Sequence, residues 1–337
     1  MKKFINKIDD ILSESLAGFA AAHSDLVHLY QNPNFLTRKN KAQNKVAIIS
    51  GGGSGHEPLH AGFIGYGMLD AACPGHVFTS PSPDQILAAA ESVHAGQGIL
   101  FIVKNYAGDV MNFEMAAEML AVANNPLESA TVLTSDDCAV VNSTYTNGRR
   151  GVAGTIIVEK CVGSLAETGA SLQACKALGD KVNARTASIG VALTSCTVPA
   201  AGRPTFELDD NELEMGVGIH GEPGRRRELL READAIIKDM IDAILADVAH
   251  RNISIKTDAL LFVNGFGATP LMELYLIYNT AATLLKAQGV KIERSLVGNY
   301  VTALDMAGAS ITLCLLDDEI MQHWDSAVHT PALRWNR

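Results

Sequence analysis

Three short stretches of this 337-residue chain set acid–base or nucleophilic side chains beside glycines. The densest reads Ser50-Gly51-Gly52-Gly53-Ser54-Gly55-His56-Glu57-Pro58. It follows an apolar run at 46–50 that reads as a buried strand. It precedes a predicted helix with Pro58 in its first turn, where a missing N–H is harmless. In parallel α/β sheets ligands bind at the carboxyl ends of strands. Glycines there let the backbone approach a ligand and turn its N–H groups inward. A tight strand–helix turn also uses glycine, but four glycines in the five positions 51–55 exceed what a turn requires. A Walker A loop needs Lys-Ser/Thr after its last glycine, and His56-Glu57 stands there instead. The dinucleotide fingerprint also fits poorly, so the loop is expected to hold a small polar group. The letters His56-Glu57-Pro58-Leu59-His60 match the zinc protease pattern. Pro58 and the preceding glycines oppose the continuous helix that zinc binding needs. His56 is therefore expected on the loop, His60 in the helix, and no metal on either.

The second stretch, Lys104-Asn105-Tyr106-Ala107-Gly108-Asp109, follows the apolar run 99–103. Lys104 and Asp109 are thereby expected on the same sheet edge as the glycine loop. Asp109 reads equally well as the cap of a helix at 111–124. Ser80, before a helix at 83–94, adds a hydroxyl to that edge, although an N-cap role is slightly favoured for it. The third stretch, 216–224, is Gly-Val-Gly-Ile-His-Gly-Glu-Pro-Gly. His220 is predicted at the end of a glycine-spaced strand, with its imidazole accessible. A lone histidine is more often a surface or satisfied core residue, and the residues alone leave its role open. The segment 265–270 reads as another strand–loop–helix corner, structural before binding.

These stretches need elements to place them. Buried strands at 46–50, 99–103 and 131–134 alternate with helices at 83–94, 111–124 and 154–168. This pattern predicts a parallel sheet covered on both faces. After a helix at 172–185 the pattern changes. Strands at 189–193, 215–219, 259–263, 292–297 and 311–316 accompany helices at 228–249 and 270–288. Several of these strands lack a crossover helix, which predicts a mixed sheet. The expected fold is α/β in two domains. Residues 1–185 form an N-terminal three-layer α/β/α domain with a parallel sheet. Residues 186–337 form a C-terminal two-layer α/β domain with a mixed sheet.

Hydrophobic residues make up 47% and charged residues 19%, the balance of an ordinary globular protein. The net charge of -10 argues against a nucleic-acid partner, which wants a basic face. The basic run Arg225–Arg227 is read as a solvated loop. No apolar run reaches the ~18 residues of a membrane span. The N-terminus mixes charge with apolar residues, unlike a signal peptide, so a cytoplasmic location is expected. The six cysteines are scattered, with no CxxC pair, and are expected to be reduced thiols.

Taken together, these stretches resemble the dihydroxyacetone kinase family. The matching pieces are GGGSGHEP at 51–58, ACPG at 72–75, FTSPSPDQI at 78–86, KNYAGDVMNFE at 104–114, GRRGVAGT at 148–155, TVPAAGRP at 197–204, GVGIHGEPG at 216–224, GATPLMELY at 267–275 and WDSAVHTPALRW at 324–335. They are collinear and span nearly the whole chain, except that 225–256 carries no matching motif. The resemblance implies that a ring nitrogen of His220 attacks the ketone of dihydroxyacetone and forms a covalent hemiaminal. It implies acid/base roles for His56 and Asp109. It implies substrate contacts from Gly53, Ser54, Gly55, His56, Ser80, Lys104, Gly108 and Asp109.

The resemblance further implies that this chain binds no cofactor and that a partner subunit carries ADP or ATP with Mg. The chain length resembles the substrate-binding subunits of bacterial phosphoenolpyruvate-dependent systems. A homodimer is expected, and a transcriptional regulator is a further possible partner. The chemistry is coherent: an ordinary imidazole, with a pKa of about 6.5, offers a lone pair at neutral pH. Only a carbonyl accepts that lone pair, so polyols are refused by functional group. The competing expectation is a paralogue that senses ketose and activates transcription without turnover. The presence of both His56 and Asp109 favours catalysis.

Overall fold

The computed structural model describes residues 2–140, 146–222 and 224–337. Pro223, in the motif at 216–224, lies outside the described residues. The chain divides into two compact units. The first takes residues 1–134, 155–181 and 322–337, and the second takes 135–154 and 182–321. The sequence reading expected a single cut at 185/186, whereas the observed division exchanges two further segments. Residues 135–154 stay with the second unit because backbone bonds tie them there: Cys138 N–H donates to Ser188 O at 2.8 Å, and Ser188 N–H to Asp136 O at 2.7 Å. The C-terminal segment belongs to the first unit. There Ala332 N–H donates to Gly62 O at 2.8 Å, and the Lys160 ammonium to His323 O at 2.7 Å.

The first unit begins with α1 (Ile11–Ala22), β1 (Val27–Tyr30), β2 (Phe35–Arg38), β3 (Ala47–Ser54) and β4 (Ala71–Val77). It continues through α2 (Pro83–Val93), β5 (Ile99–Lys104), α3 (Ala107–Val122), β6 (Ser129–Thr134), α4 (Gly154–Glu167) and α5 (Leu172–Ala184). The sheet order is β1-β2-β4-β3-β5-β6. The four strands from β4 to β6 are parallel, as expected. The N-terminal strands β1 and β2 add an antiparallel edge that the sequence reading lacked.

Side chains alternate along a strand, so β3 and β5 bury both faces. Ala47, Ile49, Ile99, Phe101 and Val103 pack with Ile86, Ala89 and Ala90 of α2 and with Phe113 and Ala116 of α3. On the opposite face Ser50 bonds a histidine that contacts Glu159 of α4. Val132 of β6 meets Gly179 of α5 on that same face. Helices therefore cover both faces, giving three layers.

The second unit contains β7 (Thr186–Ala192), β8 (Glu212–Met215), β9 (Arg226–Leu229), α6 (Ala233–His250), β10 (Asp258–Gly265), α7 (Leu271–Ala287), β11 (Lys291–Gly298) and β12 (Gly308–Leu315). Its sheet order is β11-β10-β12-β7-β8-β9. Only β10 and β11 run parallel, so the sheet is mixed. Ile237, Met240, Ile241 and Ile244 of α6 and Ala281 and Leu285 of α7 pack on one face, against Ile189, Leu213, Leu261 and Leu313. Two expectations change here. Residues 226–229 pair with β8 as a strand, so the helix predicted from 228 starts at Ala233. β8 stops at Met215, and His220 sits in a turn beyond it, not on a strand. The chain closes with α8 (Asp318–Asp325) and the short hairpin β13 (Val328–His329) and β14 (Arg334–Trp335). Among the described residues, no helix is long and apolar enough to cross a membrane.

One buried ion cluster pins the start of the glycine-bearing strand in the first unit. The Lys45 ammonium lies 2.9 Å from Asp70 Oδ2, and Arg38 lies 3.1 Å from Asp70 Oδ1 and 2.7 Å from Glu167. Asp70 Oδ2 also accepts the N–H of Ile48 on β3 at 2.8 Å. Removing one partner of a buried pair leaves an uncompensated charge, which costs about 3–5 kcal/mol. Asp70→Ala is therefore expected to lower unfolding free energy by about that amount in urea titration. An unchanged midpoint would show that the cluster does not hold the strand.

Candidate active site

In the first unit, the chemistry gathers at the carboxyl ends of β3, β4 and β5. β5 delivers Lys104 at its last residue, and its ammonium is fully buried. It donates to His60 Nε2 at 2.9 Å and Gly51 O at 3.4 Å, and lies 3.7 Å from Asp109 Oδ2. Gly52 makes this possible, since a Cβ there would collide with Lys104 Nζ. Asp109 is not a cap. α3 begins at Ala107 with Tyr106 at the N-cap position, so Asp109 sits inside the first turn, 3% exposed. An anion is favourable at that end of a helix.

The remaining predicted residues of this unit divide by what they do. Gly53 passes tightly under the backbone at Phe78 and Thr79. Ser54 is turned inward, and its hydroxyl donates to Gly75 O at 2.7 Å. The Gly55 N–H donates to both oxygens of Glu57 at 3.1 Å. These two residues thus shape the loop through bonds of their own. The His56 ring is buried and stacks on Phe78, with centroids 5.0 Å apart. Ser80 lies against Gly108 at the start of α3, where a Cβ would come 2.8 Å from its Oγ. It does not cap α2, because that role falls to Ser82, whose Oγ accepts from Gln85 N–H at 3.3 Å.

The helix expected after Pro58 is absent. Residues 57–60 form turns that lead into a short 3-10 helix, Ala61–Phe63. The His60 ring is therefore not on a helix face, and both of its nitrogens are engaged. Nδ1 lies 2.6 Å from Glu159 Oε1 and 2.9 Å from Ser50 Oγ, while Nε2 faces Lys104. Burial first, then the charge of Lys104 and then His56, holds the His60 pKa well below the ordinary imidazole range. Burial likewise pushes Glu159 up to about 8, against the lowering pull of Lys104 and Ser50. Neither His60 nor Glu159 was assigned a role from sequence. The charged pair Glu159-Lys160 inside the apolar run of α4 was the available signal.

The second unit holds His220. Its Nδ1 lies 3.1 Å from Glu222 Oε1, and its backbone N–H donates to Glu222 Oε2 at 3.0 Å. The His220 side chain remains 15% exposed while that of Glu222 is 2% exposed. Burial alone would raise the Glu222 carboxyl. His220, through charge and hydrogen bond, and then the Arg150 charge outweigh burial and lower it to about 2. Arg150 is wholly buried: its Nε donates to Asp137 Oδ2 at 2.7 Å and its second amino group to Gly216 O at 2.7 Å. Asp137 itself is raised to about 6, because its burial outweighs the pull of Arg150. A Cβ at Gly218 would strike Glu222 Oε2 and crowd Arg150, so the glycine spacing makes room for the carboxylate. Sequence reasoning quoted Glu222 and Arg150 within motifs but gave them no role.

Fold and site define an α/β protein with a glycine-walled buried cation in one unit and a carboxylate-held imidazole in the other. The family described as "Dak1 domain" matches residues 17–332, and the chain belongs to that family. It is 48% identical, over the full length of both chains, to the dihydroxyacetone-binding subunit DhaK of the PEP-dependent dihydroxyacetone kinase of Escherichia coli K12. Among solved structures it is similar to the dihydroxyacetone kinase operon co-activator Dha-DhaQ, with TM-score 0.89 and 32% identity over 97% of this chain and 98% of that one. It is also similar to the dihydroxyacetone kinase of C. freundii in complex with AMP-PNP and Mg2+, with TM-score 0.87 and 33% identity over 98% of this chain and 60% of that one.

The lowered Glu222 has a consequence for acid stability. A depressed carboxylate contributes stability above its unfolded pKa and loses it as pH falls toward its folded pKa. The window here runs from the ordinary 4.5 down to about 2. Glu222→Gln is expected to cost about 1.5–3 kcal/mol at neutral pH, where the ionised carboxylate accepts from the His220 N–H groups. In urea titrations its deficit against the parent should shrink between pH 4.5 and pH 3. A deficit constant with pH would contradict the pairing.

Proposed function

We propose that this chain is the dihydroxyacetone-binding subunit of a dihydroxyacetone kinase, and that His220 captures the ketone as a hemiaminal. The observation that carries this reading is the His220–Glu222 contact. A neutral imidazole holds one proton, and a carboxylate at Nδ1 draws it there. The lone pair is then on Nε2. Nε2 attacks the carbonyl carbon, a C–N bond forms, and the carbonyl π pair moves to oxygen, which takes a proton from solvent and becomes the carbinol hydroxyl. The ring becomes cationic in the adduct, and the ionised Glu222 balances it until the Nδ1 proton is released.

Capture leaves a primary hydroxyl to be phosphorylated, giving dihydroxyacetone phosphate. Phosphoryl transfer depends chiefly on positioning and electrostatics. The proton of that hydroxyl goes to His56 or Asp109, a contribution typically of about 10²–10⁴-fold. Gly53 and the rest of the glycine loop, with Lys104, Ser80 and Gly108, form the substrate-contact group of the first unit. The phosphoryl donor is a nucleotide with Mg on a separate subunit, recharged from phosphoenolpyruvate. This is supported by the PEP-dependent enzyme that the chain resembles over its full length and by the nucleotide complex of the longer C. freundii kinase. A homodimer in the cytoplasm completes the reading, with the loop carried by residues 1–185 and the nucleophile by residues 186–337.

A second reading has support in the likeness to the operon co-activator. In that reading the chain captures ketose, contacts a transcriptional regulator, and yields no phosphate ester. The presence of His56, Asp109 and the buried Lys104 favours turnover.

With the nucleotide-bearing subunit and phosphoryl donor supplied, His220→Ala is expected to lose at least about 10²-fold in kcat/KM for dihydroxyacetone. Full activity of the variant at low substrate rejects covalent capture. Ketose binding without any phosphate ester, with every nucleotide-bearing partner tried, would select the sensor.

A further inference from the structure

The buried network behind Lys104 is larger than a substrate contact needs. Lys104 ends in an ammonium, which has donors only. It faces His60 Nε2 at 2.9 Å, so Nε2 must accept. The one proton of the neutral ring is then on Nδ1. The surroundings of Nδ1 agree. Glu159 Oε1 at 2.6 Å accepts there, and so does Ser50 Oγ at 2.9 Å, whose own proton goes to Ile102 O at 2.7 Å. The four groups Glu159, His60, Lys104 and Asp109 thus form one directional chain, wholly within the first unit. Its members come from α4, the turn after β3, the end of β5 and the first turn of α3.

We propose that Glu159 and His60 are positioning residues that fix the Lys104 ammonium against Gly52 and beside Asp109, before substrate arrives. Glu159 sets the His60 tautomer, and His60 presents the only ring lone pair to the cation. A lysine side chain has four rotatable bonds, and an acceptor at 2.9 Å with backbone O at 3.4 Å removes that freedom. The depressed basicity of His60 supports the neutral ring. This inference rests on the reading of Lys104 and Asp109 as substrate machinery.

Two variants of His60 separate positioning from simple filling of space. Glutamine reaches as far as Nε2 and can offer Lys104 a carbonyl oxygen, whereas asparagine reaches only the Nδ1 position. In the assay with the nucleotide-bearing subunit, His60→Asn is expected to lower kcat about 10- to 100-fold, with a few-fold change in KM for dihydroxyacetone. His60→Gln is expected to recover most of that loss at the same thermal midpoint. Equal kcat in the two variants, or parental kcat in both, overturns the proposal.

If neither variant folds, Glu159→Leu decides. It removes the carboxyl from His60 Nδ1 and, as the loss of one partner of a buried contact, is expected to lower the thermal midpoint. A several-fold loss of kcat with little change in KM, measured well below that midpoint, supports positioning, and parental kcat overturns it. His220→Ala in the same assay keeps the two ideas apart. An inactive His220→Ala beside equal Asn and Gln variants defeats only the role of His60. A fully active His220→Ala defeats the covalent reading whatever His60 does.

Discussion

An imidazole is a nucleophile only at the nitrogen that carries no proton, so everything chemical about His220 follows from where its proton sits. Glu222 decides that. Its carboxylate faces Nδ1 at 3.1 Å and also holds the His220 backbone N–H, so ring and main chain are gripped by one group. A carboxylate this buried would ordinarily be too costly to keep ionised. The N–H groups of His220 and the charge of the buried Arg150 keep it so, and Arg150 is in turn anchored by Asp137 and Gly216 O. The glycine at 218 is the space in which these groups meet.

The first unit solves a different problem with similar means. It keeps a cation dry at the end of a parallel strand, a place where strand ends and helix starts converge by topology. Lys104 is buried without being neutralised by a single close anion. Asp109 stands at 3.7 Å, and the nearer contacts are a neutral ring nitrogen and a carbonyl oxygen. Such an arrangement leaves both Lys104 and Asp109 with capacity for a further polar partner. On the proposed function, covalent capture falls to the second unit and polar handling of the substrate to the first.

Much of this was legible in the sequence where the signal is local. Strands β3, β5 and β10 carry the apolar runs 47–49, 99–103 and 259–263, and helices α2 and α7 begin at proline-marked starts. The glycine loop, Lys104, Asp109 and His220 announced themselves by residue type and spacing. Other features were hidden for identifiable reasons. β4 contains Pro74 and Gly75, which mask a strand in composition although its register with β3 is clear. Asp109 looked like a cap because α3 starts one turn before its apolar pattern does. The exchange of residues 135–154 and 322–337 between units rests on backbone hydrogen bonds over long sequence distances, which no local pattern records. The same is true of His60 and Glu159, which are 99 residues apart.

The most direct measurement is the electron density of a crystal of this chain soaked with dihydroxyacetone. The account predicts continuous density from His220 Nε2 to the central carbon of the ketose, which becomes tetrahedral, with Nδ1 still on Glu222. A planar ketose at van der Waals distance from the ring, or density bonded at Nδ1, would contradict it.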